Sequence, residues 1–513
     1  MLEIYGRKKY NSGDYFNKQW YLKCIPPPVS LRSGSELNNR NFSKEIIASI
    51  SSSKKQRVSR FKTAALTLAV FGAISLSAPV NALTITADTN EANGLTLTDA
   101  NLENASNSWY GLSVVNSTLS GKNEFNASVS KTDSASQRST LSIVKLSDAQ
   151  LQWQGNATLT SNSALMSLNA ISLNNSAVSI EGALAADLTA ARTFERSEAT
   201  AITVDVGESA LTVSGNLDLK TTMQGDAASY EAGLDKDEDG DHSKAIGISS
   251  RSGGSLTLKA AETRIESTAE KLQATGILVS DNSSLTGSGV LTINAVSGRD
   301  SQTLFTRDGG RVVWNGDVTL SSTLHSLDTT FADNEAGNVG IFYSDHDTYG
   351  SEITLNGNVS LYVEASRNKL PEQSDMLIYN VGLDTGKYTE SDSEKITIGG
   401  EGKTVTMKSV ISGALVDKDV AWNIYIAEGQ LNVYGKSIVL EAVAKGKGGA
   451  ESIAIEGGEV NLGSPNGTVT IKATADDPML TSAISVMNGT LNLFGDVTIE
   501  SGTVQVFSED LGI

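Results

Sequence analysis

Apolar positions along the chain fall into one recurring phrase, Φ-x-Φ-x-G-x-Φ-x-Φ, in which Φ is apolar and x is mostly polar. It appears as Leu151-Trp153-Gly155-Ala157-Leu159 and Leu211-Val213-Gly215-Leu217-Leu219, and again as Val312-Trp314-Gly316-Val318-Leu320. Ile353-Leu355-Gly357-Val359-Leu361 and Leu491-Leu493-Gly495-Val497-Ile499 complete the strict set. Looser copies carry insertions: Leu256-Leu258 with Ile265, Leu431-Val433 with Ile438-Leu440, and Val460-Leu462 with Val469-Ile471. Alternation with period two predicts short strands with one buried face, and the glycine between them permits a tight corner. A further apolar run precedes many copies, at 201–204, 452–455 and 483–486, followed by turn residues such as Asn488-Gly489.

Three short strands per repeat cannot bury their apolar edge alone, so neighbouring repeats must stack and complete one ladder and one core. The pattern predicts an all-β chain: a right-handed parallel β-helix, or solenoid, following an N-terminal signal peptide. Coils of roughly 17–25 residues would stack ~15–20 times into a rod on the order of 70–100 Å long. Beyond residue 82 the only prolines are Pro371, Pro465 and Pro478, none within a strict phrase, as ladder bonding requires.

Length supports the repeat reading. The chain has 513 residues with 6% aromatics, 47 Gly and 7 Pro, too long for one compact core. Its Ser, Thr, Asn and Val content is too β-branched for disorder and too poor in helix formers for a bundle.

Residues 54–82 read as a signal peptide. Lys54, Lys55, Arg57, Arg60 and Lys62 form a basic n-region, the apolar run 63–77 supplies the h-region, and Val80 and Ala82 supply small residues before a cut expected after Ala82. The run is too short to span a bilayer. Residues 1–53 are either an extended signal region or the product of a misplaced start. Residues 1–82 hold 13 Lys and Arg against 4 Asp and Glu, so residues 83–513 carry 27 basic and 55 acidic residues, a net of −28. So acidic a surface repels phosphate backbones and anionic lipids, which argues against nucleic acid and membrane-surface partners. Cys24, the single cysteine, lies within the leader. The body therefore depends on packing rather than disulfides.

A basic signal peptide, a cysteine-free acidic body and repeats such as GTLNLFGDVTIESG resemble the passenger domain of autotransporters over about residues 54–513. The resemblance implies export through the inner membrane and display at the cell surface or release outside it. Autotransporters end in a translocator barrel, whereas this sequence stops at Ile513 just after the strand-like stretch 503–507. The region 83–513 is accordingly expected to be a truncated passenger that meets the outer membrane only through a translocator missing from this chain.

Candidate chemistry is sparse. His242, His325 and His346 fall in no metal-ligand spacing, and there is no Gly-x-Ser-x-Gly elbow or Gly-Asp-Ser-Gly motif. No enzyme is expected. The sharpest local feature is the acidic run Asp235-Lys236-Asp237-Glu238-Asp239-Gly240-Asp241, in which Asp235, Asp237, Asp239 and Asp241 form a candidate calcium loop. Carboxylates at alternate positions and a following glycine match the first half of an EF-hand loop, but Ile246 stands where its bidentate Glu belongs. A solvated acidic insertion is the plainer reading. No cofactor is expected beyond possible calcium. Trp153 and Trp314 should point into the core. Tyr434 and Phe494 have the opposite parity and read as corner packing.

The expected function is an exported adhesin or interaction scaffold whose partner is a protein or glycan on a host or neighbouring cell. Loop insertions near 222–244, 323–350 and 364–395 would carry specificity. The alternatives are a β-helical carbohydrate-active enzyme, lyase or glycoside hydrolase, and a structural surface-layer protein.

Overall fold

A computed structural model describes residues 2–6 and 83–506, except 106–107, 132–138, 191–196, 225–243, 271, 327–332, 343–349, 368–374, 385–393, 415–418, 478–480 and 502. Residues 83–506 form a parallel β-helix with three strands per coil. In one coil Ser167–Asn174 lies on a first face, Ala177–Ile180 on a second and Leu184–Ala190 on a third. These strands pair in parallel with the coils before and after: Val178 lies between Leu151 and Leu211, and Leu184 between Ala157 and Leu217. Thirteen such coils follow one another among the described residues. Leu2–Gly6 adds one antiparallel strand against Gly489–Leu493.

Alternation within the strands sets the core. Across Gln150–Gln154 the odd residues Leu151 and Trp153 are buried and the flanking glutamines exposed. One cluster of Leu, Ile, Val and Ala runs from Leu95 to Leu493 along the interior. The phrase glycine sits where the second face bends into the third. There the carbonyl of the preceding coil occupies the space of a side chain: a Cβ at Gly357 would lie 1.9 Å from the Gly316 carbonyl oxygen. Stacked coils therefore force glycine at this corner more strictly than turn geometry alone.

Coils are longer than the sequence pattern suggests and fewer than expected. Corresponding first-face residues are 27 apart between Val144 and Ile171 and 46 apart between Ile202 and Ile248. Third-face strands reach 11 residues in Thr404–Ala414, and the number of residues between strands varies both from the third face to the next first face, as from Met223 to Lys244, and from the first face to the second, as from Asp384 to Lys395. The stretches expected as insertions at 323–350 and 364–395 contain the first-face strands Asp333–Phe342 and Asp375–Asp384.

First-face strands break strict alternation. One residue of each drops out of the pairing: Ala170, Ala201, Gly247, Gly276, Thr303, Asn338, Asn380, Asn423 and Ser452 occupy this column in successive coils. Asn338, Asn380 and Asn423 are fully buried there. The hydroxyl of Thr303 donates to Asn338 (2.6 Å to its carbonyl oxygen, 3.2 Å to Oδ1). Asn338 Nδ2 donates to Asn380 Oδ1 at 2.7 Å, Asn380 Nδ2 to Asn423 Oδ1 at 2.8 Å and Asn423 Nδ2 to Ser452 Oγ at 3.4 Å. Ser452 Oγ ends the chain on the Lys472 carbonyl at 2.5 Å. From Thr303 to Asn423 every donor points to the next coil along the helix axis, which satisfies buried amides that would otherwise oppose folding.

Six of the large aromatics share a second rule. Trp153 pairs with Gly121, Trp314 with Gly287, Tyr379 with Gly337, Tyr425 with Gly382, Tyr434 with Gly399 and Phe494 with Gly463, always with the glycine one coil earlier. Inside the helix the ring fills the missing side chain's place: a Cβ at Gly287 would fall 2.0 Å from the Trp314 ring. The indole N–H groups donate to main-chain carbonyls, Trp153 to Asn123 at 2.7 Å and Trp314 to Gly289 at 2.9 Å. Both tryptophans are thus core residues, as alternation predicts.

Candidate binding groove

The site with the most defined chemistry lies on the outside of the second face, across the strands Lys395–Gly399, Gln430–Tyr434, Glu459–Ala475 and Gly489–Ser501. Inward residues alternate with outward ones, so strict register lines the outward side chains up in columns. Lys395, Gln430, Glu459 and Thr490 form one column; Thr397, Asn432, Asn461 and Asn492 form the next. A third column follows one residue beyond the buried Ile398, Val433, Leu462 and Leu493: Gly399, Tyr434, Gly463 and Phe494.

Bulk and its absence alternate along that third column. Tyr434 is exposed and Phe494 half-buried, and Gly463 between them leaves the floor bare. The result is an open hollow of about 390 Å³ lined by Lys395, Gln430, Asn432, Tyr434, Asn461, Gly463, Ser464, Pro465 and Phe494. Gly463 has φ +108, and a Cβ there would meet the Phe494 carbonyl oxygen at 2.1 Å, so no other residue fits.

The amides are ordered by one another. Asn461 Nδ2 donates to Asn432 Oδ1 at 3.0 Å and Asn492 Nδ2 to Asn461 Oδ1 at 2.9 Å. Glu459 accepts from Asn461 at 2.9 Å, Asn492 at 3.3 Å and Gln430 at 3.3 Å. The Tyr434 hydroxyl donates to Asn432 Oδ1 at 3.2 Å. Hydrogen bonds among all these groups fix their rotamers before any ligand arrives. Capacity is left over among the described residues that line it: Asn432 Nδ2 donates to nothing, Gln430 Oε1 accepts nothing, and Lys395 forms no ion pair. The hollow therefore offers donors, acceptors, one cation and two aromatic rings, a set suited to recognition. Its one neighbouring carboxylate, Glu459, is engaged by three amides.

The sequence features singled out for chemistry lie elsewhere. Asp235, Asp237, Asp239 and Asp241, the candidate calcium loop, fall outside the described residues, as do His242, His346 and the cleavage position Ala82. His325 is exposed, with Nδ1 3.3 Å from Ser366 Oγ. Among the described residues no three His, Cys, Asp or Glu gather into a metal-binding group, and no helix is long and apolar enough to cross a membrane. Tyr434 and Phe494, read from sequence as corner packing, are the walls of the groove. Its amide floor was missed, although a signal existed: Leu431-Asn432-Val433, Val460-Asn461-Leu462 and Leu491-Asn492-Leu493 repeat one triplet at matching positions. Compared with known proteins, the chain matches no family model, no curated protein and no solved structure.

Proposed function

We propose that this chain is an exported, surface-displayed β-helical passenger of the autotransporter kind that works by binding, as an adhesin or interaction scaffold. The observation that carries this reading is the preordered groove on the second face, where Asn432, Gln430 and Lys395 keep unclaimed polar groups between two aromatic walls. A long ladder holds such a surface rigid, so little ordering entropy opposes binding. Export is supported by the signal-like stretch 54–82. The acidic body favours an uncharged or cationic partner over nucleic acid.

Two measurements test the proposal. Expressed from residue 1 in a Gram-negative host, the processed chain should begin at Leu83 by N-terminal sequencing; an unprocessed cytoplasmic product would remove the export reading. The purified chain should bind cells or immobilised cell-surface extract saturably, and flat, non-saturable retention would remove the adhesin reading.

A further inference from the structure

We propose that the groove between Tyr434 and Phe494 is a saccharide site that takes a neutral, hydroxyl-rich pyranose chain; this rests on the binding function proposed above and names its ligand class. The two aromatic side chains belong to strands two coils apart, so their backbones are separated by about 9–10 Å along the axis. Gly463 clears the coil between them. A pyranose ring presents C–H-rich faces that stack on aromatic rings and an edge of hydroxyls that both donate and accept hydrogen bonds. The groove supplies the complement of each: aromatic rings at its walls, and between them the unclaimed Asn432 Nδ2, the unclaimed Gln430 Oε1 and the Lys395 ammonium. These groups step along the axis one coil at a time, as linked sugar rings would.

Other ligand classes fit less well. A peptide strand recognised through its main chain needs a free sheet edge, and three of the four groove strands, Lys395–Gly399, Gln430–Tyr434 and Glu459–Ala475, have partners on both sides. A polyanion would meet one cation, Lys395, beside Glu459 on a body of net negative charge.

The test is isothermal titration of the full exported chain with four neutral hexasaccharides: cellohexaose, maltohexaose, mannohexaose and chitohexaose. At least one should bind saturably. Tyr434→Ala and Phe494→Ala should each weaken that binding by about tenfold or more, as loss of one stacking partner predicts. Tyr434→Phe should retain it, and Thr354→Ala, outward on the same face two coils earlier, should leave it unchanged. If Phe494→Ala unfolds, Tyr434→Ala and Asn432→Ala carry the comparison. Failure of all four sugars to bind, or binding indifferent to both Tyr434→Ala and Asn432→Ala, overturns the proposal. Cell retention separates the two levels of the argument. Retention that survives both periodate oxidation of cell glycans and Tyr434→Ala overturns the saccharide site and leaves the adhesin reading standing, whereas hexasaccharide binding without cell retention supports the site and removes the adhesin.

Discussion

Replacing Asn380 by Ala should destabilise the helix more than replacing Asn338, Asn380 and Asn423 together. Asn380 accepts from Asn338 and donates to Asn423, and all three are fully buried. Alanine itself suits the column, since Ala170 and Ala201 occupy it in earlier coils. The single change therefore leaves two buried groups without partners, the Asn338 amide donor and the Asn423 carbonyl acceptor. Each orphan costs about 1–3 kcal/mol, and the truncated side chain leaves a cavity worth roughly 0.5–1 kcal/mol. The expected loss is about 2.5–7 kcal/mol. In the triple variant no amide remains to be orphaned. Thr303 keeps its bond to the main-chain carbonyl at residue 338, and Ser452 keeps its bond to Lys472. Only the cavities remain, about 1.5–3 kcal/mol in all. Urea denaturation followed by far-UV circular dichroism measures both, and hydrogen exchange of the strands Asp333–Phe342, Asp375–Asp384 and Val420–Ile426 locates the effect. A triple variant that loses as much as three single variants summed would refute the relay and reduce these residues to independent polar plugs.

Three further outcomes follow from the packing and the charges. Gly287→Ala should cost about 1–3 kcal/mol by overpacking, because its Cβ would sit 2.0 Å from the Trp314 ring; Gly287→Ala combined with Trp314→Leu should recover most of the loss in the same urea assay, and an equal loss in both variants would show the strain lies elsewhere. Glu451 is half-buried, and burial pushes its carboxyl pKa above the ordinary value, an effect that the 2.8 Å hydrogen bond from the Trp422 indole only partly offsets. A carboxyl whose folded pKa is raised destabilises the fold once pH rises past its unfolded value, with the full penalty above the folded one; Glu451→Gln, which keeps an acceptor for Trp422, should therefore raise Tm at pH 7.5 and match the parent near pH 3.5, and a gap independent of pH would contradict this. Trp153→Ala removes a fully buried ring that also packs 5.3 Å from Phe125; a loss of about 3–5 kcal/mol is expected by calorimetry or urea melt, and a loss under ~1 kcal/mol would mean that this end of the helix is not close-packed.

Much of the fold was legible because the phrase glycines and the period-two alternation are both imposed by stacking. Leu151, Trp153, Leu159 and their equivalents went to the core as their spacing requires. Coil length was not legible. The eye takes the strict phrase, which covers only the second face and the start of the third, while the first face reads as a loose apolar run and the number of residues between strands varies from coil to coil. The asparagines show the limit most plainly. Trp422-Asn423-Ile424 and Leu431-Asn432-Val433 are the same triplet of types, yet Asn423 is inside and Asn432 faces out. First-face strands drop one residue from the ladder, so parity cannot be carried through them. The groove suffered for the same reason: its amides are ordinary outward residues individually, and only register brings Asn432, Asn461 and Asn492 onto one line.

Each cross-coil pair of glycine and aromatic ties together positions far apart in sequence, 27 residues for Gly287 and Trp314 and 42 for Gly337 and Tyr379. A solenoid of interchangeable units could gain or lose one coil by recombination with little consequence. Here, excising a coil at such a boundary would set a ring against a side chain, and duplicating one would leave a glycine with nothing over it. The six pairs act as keyed joints that fix the order of the coils. Lineages of this chain should accordingly vary in the segments leaving the coils long before they vary in coil number.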